Sequence, residues 1–86
     1  MRYHRFVANA DKILRGMREN PRDWRIQDLK LAAARFGIVT RQHGTSHVVF
    51  YRPGLGTLLS VPARRPIKPV YIRKFLDLIE AEESNG

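Results

Sequence analysis

Two histidines four positions apart, His43 and His47, bracket the turn Gly44-Thr45-Ser46. After it comes a β-branched and aromatic run, Val48-Val49-Phe50-Tyr51, which reads as a strand opened by that turn. Alternate strand residues share a face, so His47 lies with Val49 and Tyr51, and Val48 lies with Phe50. If Val48 and Phe50 enter a core, His47 points outward. An outward imidazole can bind phosphate or move a proton on a sugar hydroxyl. A three-residue hairpin loop would set His43 opposite His47, with Cβ atoms ~5 Å apart. One could then act as base and the other as acid. Phosphate contact or simple exposure of His43 is the competing reading. For His47 the competing reading is a structural ring bonded to the turn backbone.

The surroundings are cationic. The chain has 86 residues, with sixteen Lys and Arg against eight Asp and Glu. Asp77, Glu80, Glu82 and Glu83 crowd the C-terminal end, so residues 1–76 carry +12. Twelve of the sixteen cations are arginine, whose planar fork matches phosphate. Arg41, Arg52, Arg64, Arg65 and Lys68, with Ser46 and His43, form the candidate phosphate-contacting set around His47. A polyanion partner follows, most simply nucleic acid.

The length fits one domain. An apolar share of 43% is too high for a disordered chain. No run approaches the ~20 apolar residues of a membrane span, and no hydrophobic leader stands near Met1. Cysteine is absent, which excludes disulfides and thiolate metal sites. These features predict a cytoplasmic protein without a membrane association. Three scattered histidines with no carboxylate cluster beside them predict no metal site and no cofactor. Gly54-Leu55-Gly56 lacks the length and following helix of a phosphate-cradling loop.

The elements that must hold His47 are legible in order. Residues 1–8 read as a basic arm. Asn9 is a candidate N-cap for a helix bearing Ile13, Leu14 and Met17, which ends near Asn20 because Pro21 follows. A second helix begins between Asp23 and Gln27, with Asp23 the better cap by type. Its apolar face is Ile26, Leu29, Ala33 and Phe36, and Gly37 terminates it. Trp24 reads as a core plug at its entrance, with base stacking the competing reading. Strands follow at 38–42, 46–52 and 57–61, with Pro62 ending the third. Residues 63–69 form a basic loop. Pro69 starts a last helix whose buried stripe is Val70, Ile72, Phe75, Leu76 and Ile79, before residues 82–86 fray. The result is an α+β domain, a three-stranded antiparallel meander with helices on one face.

Phe36-Gly37, Arg41, Gly44-Thr45-Ser46-His47, Phe50, Ser60-Val61-Pro62 and the terminal helix resemble the HicA (YcfA-like) toxins of bacterial toxin–antitoxin pairs. The resemblance covers about residues 26–81, with residues 1–25 an additional arm and helix and 82–86 a tail. It implies a double-stranded-RNA-binding-like αβββα fold with an additional N-terminal helix. It also implies an mRNA interferase in which His47 is the catalytic residue, and a neutralising antitoxin of the HicB type. This chain reads Gly-Thr-Ser-His where many relatives read Gly-Ser-His. It has Ala63-Arg64-Arg65 where many place a second histidine.

The implied chemistry is metal-independent RNA cleavage. Neutral His47 would take the 2′-hydroxyl proton, and the oxygen would attack the adjacent phosphorus. Free imidazole, with a pKa near ~6.5, suits a base working near neutrality. DNA has no such hydroxyl, so the expected substrate is RNA. The alternative is a non-catalytic RNA-binding module, and a basic interaction or DNA-binding protein is a third class.

Overall fold

The computed structural model describes the backbone of residues 2–85 apart from His43 and Thr45. It describes side chains from residue 10 to residue 81 with the same two exceptions. In chain order come helices α1 (Arg2–Glu19) and α2 (Ile26–Arg35), then strands β1 (Val39–Arg41), β2 (His47–Arg52) and β3 (Thr57–Pro62). Helix α3 (Pro69–Asn85) completes the order. The strands form one antiparallel sheet in the order β1-β2-β3. The α+β meander read from the sequence is present.

The sheet buries one face. Val48 and Phe50 of β2 and Val61 of β3 are fully buried, and alternate residues are open or half-open. Helices α2 and α3 contact the sheet, and α1 packs on α2 and α3. Leu29, Ala32 and Ala33 of α2 meet Ile72, Phe75 and Ile79 of α3 in one apolar cluster, and Leu14 and Met17 of α1 join it. The helix formed by residues 2–19 is thus part of the same core.

Helix α2 stops as its sequence demands. Gly37 takes φ 72°, Gly37 N–H donates to Ala34 O, and Ile38 N–H donates to Ala33 O at 2.9 Å. This is the paired bonding of a left-handed C-terminal cap, which needs no Cβ at Gly37.

Three expectations are corrected. α1 starts at Arg2, not Asn9. In the sequence Tyr3, Phe6 and Ala10 continue the spacing of Ile13, Leu14 and Met17, and that periodicity outweighs a lone capping residue. Asp23 caps nothing: it takes φ 68°, while Arg25 occupies the N-cap and its N–H donates to the Asp28 carboxylate at 3.0 Å. Val70 is 47% exposed. At 100° per residue it stands almost opposite Ile72, so the two cannot share one stripe. Helix α3 runs to Asn85.

Trp24 joins the N-terminal part to the rest. Its indole Nε1–H donates to Asn20 O at 2.7 Å, and its backbone O accepts from Ile67 N–H at 2.9 Å. A Cβ on Gly16 would stand 2.9 Å from the indole. Gly16 is therefore the seat on which the ring rests. Gly16→Val should destabilise the fold by ~1–3 kcal/mol through that overlap, slightly offset because glycine is the poorer helix former. A thermal melt checks this: a Tm equal to the parent's would show that the ring moves aside freely. The Arg18–Glu80 pair, 2.9 Å apart between α1 and α3, is solvent-exposed and adds at most ~1 kcal/mol.

Candidate nucleic-acid site

His47 is the first residue of β2, and its side chain is exposed. Position follows from the turn before it. Gly44 takes φ 65°, a left-handed conformation that turns the chain at low cost. Ser46 O then accepts from Ala63 N–H at 2.7 Å, which ties the strand mouth to the segment leaving β3. Val48 and Phe50 point into the core, so His47 faces the other way. The Ser46 hydroxyl lies 3.5 Å from His47 Nδ1, long for a hydrogen bond.

A cleft of about 730 Å³ opens beside this ring. Ser46, His47, Arg64, Arg65 and Lys68 line it, five of the residues proposed from the sequence. Three of the five are exposed cations gathered by the loop between β3 and α3. The N-terminus of α3, at Pro69, also borders the cleft and has no acidic residue in its first turn. Its dipole favours an anion at this place.

Other expected residues fall elsewhere. Arg41 is exposed on the outward sheet face: it pairs with Val49, two residues from His47 on the same strand and face. A long side chain can reach across that diagonal. Arg52 is corrected as a surface phosphate contact. It is 5% exposed, because it alternates with Val48 and Phe50 onto the core face at the far end of β2. His43 lies outside the described residues, and so does its facing of His47.

Three polar lining residues were missed: Arg22, Asp23 and Tyr71. Arg22 and Asp23 belong to the link between α1 and α2, which read as a mere connection. The Trp24–Ile67 bridge folds that link against the loop after β3, and no local pattern announces such a pairing. Tyr71 could have been found. It stands one turn before Phe75, on the flank of the buried stripe, and is half-buried. Among the lining residues four Lys and Arg side chains face one acid, Asp23.

The chain matches no protein-family model, no curated protein and no solved structure.

The arrangement can hold a phosphodiester. Arginine forks grip phosphate oxygens in pairs, and Lys68 adds a point charge. A phosphate held there would lie beside an imidazole at the cleft edge. An imidazole at the edge of a cationic cleft is a candidate general base toward a neighbouring hydroxyl.

Proposed function

We propose that this protein is a ribonuclease toxin, resembling the HicA interferases, whose His47 acts as general base in mRNA cleavage. The reading takes the fold as the double-stranded-RNA-binding-like αβββα type, with α1 as the additional helix. Its main support is that His47 opens onto the cleft lined by Arg22, Arg64, Arg65 and Lys68. The cations fix the scissile phosphate and stabilise the negative charge that develops on it. His47 removes the 2′-hydroxyl proton, the 2′-oxygen bonds to phosphorus, and the bond to the 5′-oxygen breaks as that oxygen takes a proton from water. The products carry a 2′,3′-cyclic phosphate and a 5′-hydroxyl.

A cell making such an enzyme needs an inhibitor. An acidic antitoxin of the HicB type, covering the cationic cleft and the outward sheet face, would occupy the phosphate positions and screen His47. The cytoplasm, where mRNA is exposed, is the corresponding location.

Incubating the protein with single-stranded RNA in chelator tests the reading. Fragments with cyclic phosphate ends are expected, and DNA of the same sequence should stay intact. RNA binding with no turnover would instead identify a non-catalytic RNA-binding module.

A further inference from the structure

A second, smaller cavity of about 340 Å³ lies beside the cleft, lined by Asp23, Trp24, Arg25, Arg65 and Pro66. Asp23, Arg65 and Pro66 line both spaces, so the two are contiguous. The larger is the cationic one that borders His47. The smaller is a shallow recess open to solvent. Three residues with planar side-chain groups border it, Trp24, Arg25 and Arg65. Aromatic rings and guanidinium planes are what unstacked RNA bases stack on.

Asp23 stands at the seam. Its φ of 68° is rare for a residue with a side chain, and such conformations concentrate at functional sites. The neighbouring backbone is fixed. Arg22 N–H donates to the Asn20 side-chain oxygen at 3.2 Å, and Trp24 is bridged to Ile67. A carboxylate repels phosphate, so its role in a cationic cleft differs from that of the arginines. It accepts hydrogen bonds and donates none. On the pairing edge of the four RNA bases, guanine alone presents two adjacent donors, N1–H and the N2 amino group. A carboxylate takes such a pair with both oxygens.

We propose that the smaller cavity is a base-reading pocket in which Asp23 selects guanine next to the phosphate held in the cleft. The proposal rests on the RNA-cleaving reading for the cleft and adds a base preference to it. It gives the link after α1 a role: the link supplies the wall that reads sequence, while the loop after β3 holds the backbone.

Binding of labelled oligouridine is compared, by fluorescence anisotropy, with the same oligomer carrying one central guanosine. The parent protein should bind the guanosine oligomer about tenfold more tightly, within the discrimination of a bidentate base contact. Adenosine or cytidine at that place should gain less. Asp23→Asn should remove the difference, and so should Asp23→Gly. Both residues accept the left-handed conformation, so the fold should persist, which circular dichroism verifies. Lys12→Ala, on the exposed side of α1, should keep the preference.

Equal affinity for the two oligomers in the parent, or an undiminished preference in Asp23→Asn, overturns the proposal. Cleavage without base preference removes the pocket and spares the nuclease. Guanosine preference without cleavage does the reverse. Failure of the parent to bind RNA removes both.

Discussion

His47→Ala should lower the single-turnover rate of RNA cleavage by about 10²–10⁴-fold, the span that general-base help supplies. RNA affinity should change little, because in this proposal the lining cations, not His47, hold the phosphates. The variant should fold. His47 is exposed at the start of β2, and its replacement leaves Val48 and Phe50 in the core. Kinetics separate this from a structural role. A ring that only braced the turn would, when lost, lower Tm and weaken binding together. A base would, when lost, lower kcat and leave KM and Tm near the parent values. Cleavage by a folded His47→Ala protein at the parent's rate would remove this residue from the mechanism.

Phe50→Ala should cost ~3–5 kcal/mol of folding free energy. Phe50 is fully buried and meets Phe75 of α3 edge to face, with ring centroids 5.2 Å apart at 65°. Truncation removes the burial, the aromatic pair and one contact between α3 and the sheet. Small domains have only ~5–15 kcal/mol in total, so the variant should be partly unfolded at growth temperature. Urea denaturation measures it: the midpoint should fall sharply with little change in slope. A loss below ~1 kcal/mol would mean that the core refills the space. Because Phe50 shares a strand with His47, any activity loss in this variant should track the folded fraction.

Alternation along β2 was enough, in the sequence, to send His47 one way and Val48 with Phe50 the other. Gly37 announced the end of α2 by its own chemistry, and the excess of arginine announced exposed cations. These are local or additive properties, so one dimension carries them.

Arg52 shows where that logic stops. Its charge suggested the surface, but its parity along β2 belongs to Val48 and Phe50, and the sheet carried it inward. The cleft needed still more. His47 lies on a strand mouth, Arg64 and Arg65 on a loop, and Arg22 and Asp23 on a link more than twenty residues upstream. Only the seating of Trp24 on Gly16 and its bridge to Ile67 bring that link to the loop. Long-range contacts of this kind depend on the shapes of two distant segments at once, and neither segment's sequence encodes the other. The residue types and the chemistry they permit were therefore set by the sequence alone. Which of them share one space was decided by packing.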